Sequence, residues 1–69
     1  MKLSARNVLK GKVKKVCHGA VNSEIVLELP GGAEIVSVIT KSSAEQMNLA
    51  VGQDAYAVIK ATSVMLAID

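Results

Sequence analysis

The sequence predicts an all-β fold, a five-stranded barrel with one short helix between the third and fourth strands. Three features carry that expectation. Apolar and polar residues alternate through five short segments, Pro30-Gly31-Gly32 marks a tight hairpin, and Ser42-Ser43-Ala44-Glu45 has the capping form S-x-x-E. Residues 7–17 set Leu9, Val13 and Cys17 on one side and Lys10, Lys12 and Lys14 on the other, the pattern of a half-buried strand. His18-Gly19 and Asn22-Ser23 bracket a turn of short, permissive residues. Residues 23–29 form a second strand, with Ile25, Leu27 and Leu29 opposite Val26 and Glu28. After the hairpin, residues 33–40 make a third strand, rich in Ile and Val on both faces. Ser42 is then expected to cap a helix of about two turns that runs to Leu49 and ends near Gly52, with the Glu45 carboxylate reaching back. Residues 55–60 and 63–68 complete the set as two further strands. That element order is the order of an OB-type barrel.

The 69 residues are expected to form a single domain, 1–69. A 51% apolar share with 20% charged residues excludes a disordered chain. Apolar runs such as residues 64–68 reach only five residues, far short of a bilayer span. Met1-Lys2 leads into no apolar h-region, so no secretory signal is expected. Cys17 and His18 are the only Cys and His, which argues against a disulfide or a zinc site and for a reducing, cytoplasmic setting. Ordering so small a chain costs roughly 1.5 kcal/mol per residue, and partner subunits are the remaining way to offset it. Val26, Val36, Val38 and Val58 sit opposite their strands' other apolar residues and need a second cover. A homo-oligomer is expected.

Catalysis has little to work with. His18 has no carboxylate near it in sequence, Cys17 is expected to be a small buried hydrophobe, and the six acids lack metal-ligand spacing. The row Lys10, Lys12, Lys14 and Lys15 leaves an OB-type nucleic-acid or protein interaction module as an alternative. Against nucleic acid, single-strand binders stack bases on several aromatic rings, and this chain has only Tyr56. A small oxyanion suits the chain better. Ser4 stands near Arg6, Thr62 and Ser63 follow Lys60, and Thr40-Lys41-Ser42-Ser43 leads into a helix N-terminus. The plainer alternative is that Ser42 and Ser43 only cap the helix and Arg6 only pairs with a surface acid.

Beyond these patterns, the opening Ser4-Ala5-Arg6-Asn7-Val8-Leu9-Lys10-Gly11 resembles the S-A-R-N-x-L-K-G start of the Mop family of molybdate-binding proteins. The closing segment Ala57-Val58-Ile59-Lys60-Ala61-Thr62-Ser63-Val64-Met65 is similar to that family's V-I-K-[AS]-[ST]-x-V-M. Gly31-Gly32 and the stretch from Ile39-Thr40 to Leu49 fall at family-like spacing, so the resemblance covers essentially the whole chain. It implies a single-domain molbindin that assembles as a hexamer, a trimer of dimers, with no cofactor and no membrane. It also implies molybdate, and with it tungstate, held between subunits for storage or homeostasis. By that resemblance Ser4, Arg6, Lys60 and the N–H of Ala61 come from one subunit, and Thr40 and Ser43 from its neighbour. A second oxyanion site is expected at the turn Gly19, Ala20, Val21 and Asn22. Ala61 replaces a Ser found in some relatives, so only its N–H remains there.

Overall fold

The computed structural model describes residues 2–69. Four strands form one antiparallel sheet: β1 (Asn7–His18), β2 (Asn22–Glu28), β3 (Glu34–Thr40) and β4 (Asp54–Ile59), in the order β3-β2-β1-β4. A helix α1 (Lys41–Gln46) joins β3 to β4, and a single 3-10 turn (Ala61–Ser63) follows β4. The sheet curls, so that Ile35 and Ile39 of β3 line the same apolar groove as Ala55 and Ala57 of β4.

β1 is long because it serves two ladders. Its first half pairs with β4, from Asn7 opposite Ile59 to Lys12 opposite Asp54. Its second half pairs with β2, from Lys12 opposite Glu28 to His18 opposite Ser23, and a β-bulge between Val13 and Lys15 lies within that half. A bulge adds one residue and reverses the pleat phase beyond it. Val13 and Val16 therefore both meet the core, and Cys17 points outward, opposite Glu24. The strict alternation expected through residues 7–17 is corrected accordingly: of Leu9, Val13 and Cys17 only Val13 is buried, and Cys17 is exposed.

The core is small: Val13, Ile25, Leu27 and Ala44 are buried, with Val16, Ile39, Leu49, Ala55 and Ala57 packed against them. Ala44 is the residue by which α1 joins that core. On the sheet's other face Val26 is buried, while Val36, Val38 and Val58 stand exposed. The Pro30-Gly31-Gly32 hairpin forms as expected, with Leu29 N–H bonded to Ala33 O at 2.7 Å and both glycines at positive φ.

Two expectations fail at the ends of elements. The helix begins one residue before Ser42: its N-cap is Thr40, whose hydroxyl accepts from Ser43 N, and Glu45 makes no reciprocal cap. It also stops at Gln46, because Asn48 adopts φ 51° and breaks the spiral well before Gly52. The fifth strand, expected over residues 63–68, is absent. Those residues follow the 3-10 turn with no ladder partner in the chain, and a strand exists only where an edge pairs with it. The observed fold is a curled four-stranded sheet with one helix.

Gly11 is buried on β1, where an added Cβ would lie 2.8 Å from Glu28 O and 3.1 Å from Leu29 Cδ2. Backbone cannot retreat cheaply at that contact. Gly11→Ala is expected to lower stability by about 1–3 kcal/mol, read as a fall in the denaturation midpoint.

Candidate functional site

The residues singled out in sequence gather at two ends of β1. Asn7 and Ile59 are the last paired residues at its N-terminal end, and the Asn7 Nδ2 donates to Ile59 O at 3.3 Å. Arg6 and Lys60 are the residues next beyond that last pair. Ser4 and Ala61 lie within two residues of them, so these four flank one end of the β1–β4 ladder. Two cations near one ladder end repel each other, and an anion bound there relieves the repulsion. Among the described residues neither Arg6 nor Lys60 enters a salt bridge. Asn7 is the contributor that sequence reasoning passed over, although it stands in the S-A-R-N block.

Thr40 and Ser43 gather at the other end. Thr40 is opposite Asn22, next to the rung joining Ser23 to His18, the last residue of β1. The Thr40 hydroxyl donates to Ser43 Oγ at 2.8 Å and accepts from Ser43 N at 3.1 Å. That leaves the Ser43 hydroxyl hydrogen free to point outward. The N–H of Lys41 is bonded to Val21 O at 2.8 Å, which ties the turn of Gly19, Ala20, Val21 and Asn22 to the start of α1. Gly19 N–H closes that turn on Asn22 O at 2.7 Å. The Lys41 and Ser43 N–H groups at the start of α1 are thus already bonded within the chain.

The two clusters flank opposite ends of the twelve-residue β1, and among the described residues no hydrogen bond joins them. The expected second-site turn, Gly19 to Asn22, is brought beside Thr40 and Ser43 and not beside Arg6.

The lysine row has a different character. Asp54 lies 2.9 Å from Lys12 Nζ and 3.8 Å from Lys10 Nζ, and Lys14 is bonded to Glu34 with Glu28 at 3.5 Å. The hydrogen bond and charge of Lys12, with the charge of Lys10, hold the Asp54 carboxyl below its ordinary range. The Glu34 hydrogen bond and charge push the Lys14 ammonium up. Exposed pairs add little stability, but they cancel the positive stripe that a phosphate backbone would need. These acids lie far from the lysines in sequence, and only strand register reveals the pairing.

His18 and Cys17 hold no catalytic arrangement. His18 Nδ1 sits 2.6 Å from the hydroxyl of Ser23, a buried residue, and so satisfies a polar group the sheet would otherwise strand. Among the described residues no cluster of three or more His, Cys, Asp and Glu is placed to hold a metal ion.

A TOBE domain model matches residues 3–66. The chain belongs to the TOBE domain family. It is 45% identical over 69 residues to the probable molybdenum-pterin-binding protein of Haemophilus influenzae, with both chains covered in full. MopII from Clostridium pasteurianum, in an apo structure, superposes with a TM-score of 0.92 at 43% identity, covering 97% of this chain and 100% of its own. The cytoplasmic molybdate-binding protein ModG, in a form with molybdate bound, matches 88% of this chain and 43% of its own at a TM-score of 0.85 and 51% identity. These likenesses span the chain and bear out the Mop resemblance of the two terminal motifs as a single Mop-type TOBE domain.

Two outcomes follow from the geometry. Thr40→Ala is expected to destabilise the protein by about 1 kcal/mol through loss of the helix cap, while Thr40→Ser keeps the cap, as denaturation midpoints would record. Because the Asp54 pKa is depressed by folding, its contribution is present above the ordinary value of 3.8 and is lost as pH falls through the folded value. Acid titration of stability should therefore lose part of its low-pH slope in Asp54→Asn.

Proposed function

We propose that this protein binds molybdate, and tungstate as an oxyanion of like size and charge, at sites completed between subunits. The ligand is held by Ser4, Arg6, Lys60 and the Ala61 N–H of one subunit and by Thr40 and Ser43 of its neighbour. The observation that carries this is a pair of cations, Arg6 and Lys60, flanking one end of the β1–β4 ladder and entering no salt bridge among the described residues. The other half of the donor set lies at the far end of β1, which favours a site drawn from two copies over one within a chain. A TOBE family relationship to molybdenum-pterin-binding and molybdate-binding proteins supports the choice of ligand.

A pocket built from donors alone suits an anion with no proton of its own. Molybdate is such a dianion at neutral pH. Phosphate carries an O–H that would face donors without an acceptor, and sulfate is smaller and fills the same space less well. The assembly is a hexamer, a trimer of dimers, and the turn of Gly19, Ala20, Val21 and Asn22 provides a second oxyanion position near a symmetry axis. The role is cytoplasmic storage or homeostasis without catalysis. A nucleic-acid module is disfavoured because the acids opposite Lys10, Lys12 and Lys14 already neutralise them.

Isothermal titration is expected to give saturable heat with molybdate. Arg6→Ala and Lys60→Ala should each weaken binding by roughly tenfold to a hundredfold, since hydrogen bonds to charged groups contribute about 1.5–3 kcal/mol, with far-UV circular dichroism unchanged. Mixing unfolded Arg6→Ala and Ser43→Ala chains and refolding them together should restore about a quarter of the sites, because one interface in four then holds two intact halves. An absence of heat from the wild-type protein would overturn the proposal.

A further inference from the structure

The turn of Gly19, Ala20, Val21 and Asn22 has spent acceptors and kept donors. Val21 O is bonded to Lys41 N–H and Asn22 O to Gly19 N–H. The N–H groups of Ala20 and Val21 have no partner among the described residues. Asn22 can swing either end of its side-chain amide to a ligand and does not discriminate. His18 precedes Gly19 at the mouth of this turn and forms the closing rung of the β1–β2 ladder with Ser23. An imidazole in that place is ambiguous, because a ring nitrogen that carries hydrogen donates and a bare one accepts.

Ser23 removes the ambiguity. It is 1% exposed, and its hydroxyl lies 2.6 Å from His18 Nδ1, its one hydrogen-bond partner among the described residues. Leaving a buried hydroxyl hydrogen without an acceptor is costly. The hydroxyl therefore donates to Nδ1, and the hydrogen of the neutral ring goes to Nε2. His18 is exposed, and its Nε2 has no partner among the described residues.

We propose that His18 is a specificity-determining residue of the second oxyanion position. The Ser23 bond holds the ring as an Nε2–H donor and denies a protonated anion the acceptor it needs. This rests on the oxyanion reading of the turn and adds to it a basis of selection. An unprotonated dianion such as molybdate takes the Nε2–H together with the Ala20 and Val21 N–H groups. Hydrogen phosphate brings an O–H of its own, which meets hydrogen where an unlocked imidazole would offer a lone pair. The tautomer is thus chosen inside the sheet and read by the ligand outside it.

Nitrogen NMR of the isotope-labelled ring, in the ligand-free protein at about pH 8, is expected to show hydrogen on Nε2 and a bare Nδ1. Hydrogen on Nδ1 would overturn the proposal. Titration with molybdate should then shift the Nε2 signal along with the Ala20 and Val21 amides. Amide shifts with His18 unmoved overturn the proposal alone, whereas no shift at the turn overturns the oxyanion reading of the turn and the proposal with it. Ser23→Ala frees the ring to present a bare Nε2. Its preference for molybdate over inorganic phosphate at the turn is expected to fall by roughly tenfold, about the worth of one hydrogen bond to a charged group. An unchanged preference contradicts the proposal. Should Ser23→Ala fail to fold, His18→Asn decides, since its carbonyl oxygen still accepts from Ser23 but no donor remains at the place of Nε2. Molybdate should then bind the turn roughly tenfold more weakly, and undiminished binding there sinks the proposal.

Discussion

β1 is asked to pair with two different strands along its length, and the rest of the molecule depends on how it manages this. A straight twelve-residue strand would leave β2 and β4 as wings of a flat sheet with no enclosed interior. The bulge between Val13 and Lys15 bends the strand, and the loop before β4 closes onto it, with Val13 N–H bonded to Gln53 O and Gly52 N–H bonded to Val13 O. Val13 is thereby held from both sides at the centre of the core. Gly11 nearby lets the β2–β3 hairpin backbone approach β1 more closely than a side chain would allow.

The same long strand separates the polar chemistry. Arg6 and Lys60 leave one end of its ladders, while Thr40, Ser43 and the turn after β1 occupy the other. Between them the exposed face carries lysines matched by Asp54, Glu28 and Glu34. Positive charge is thus neutralised along the middle of the sheet and left unmatched at its end. A uniformly basic face would attract any polyanion, whereas two cations at one ladder end favour a small one.

The apolar surplus follows from size. A four-stranded sheet with one six-residue helix encloses only a handful of side chains, and the outer valines and the segment after the 3-10 turn remain outside. Small domains bury a lower fraction of their surface than large ones, so this chain has more apolar surface than one core can hold. Association is the direct physical outlet for it.

Much of this was legible in the residues. Period-two alternation determined where β1 to β4 lie, Pro30-Gly31-Gly32 determined the hairpin, and the terminal motifs pointed to the family that whole-chain likeness bears out. Local signals sufficed there because each depends on neighbours along the chain. Other features were decided only by tertiary structure. The bulge turned Cys17 outward because pleat phase depends on how β1 fits two partners at once. Thr40 displaced Ser42 as the cap because Lys41 N–H was already bonded to Val21 O across the sheet. The cancelling acids, the placement of Arg6 and Lys60 at one ladder end, and the missing fifth strand all depend on which segments meet, and strand pairing is a long-range choice that local pattern does not encode.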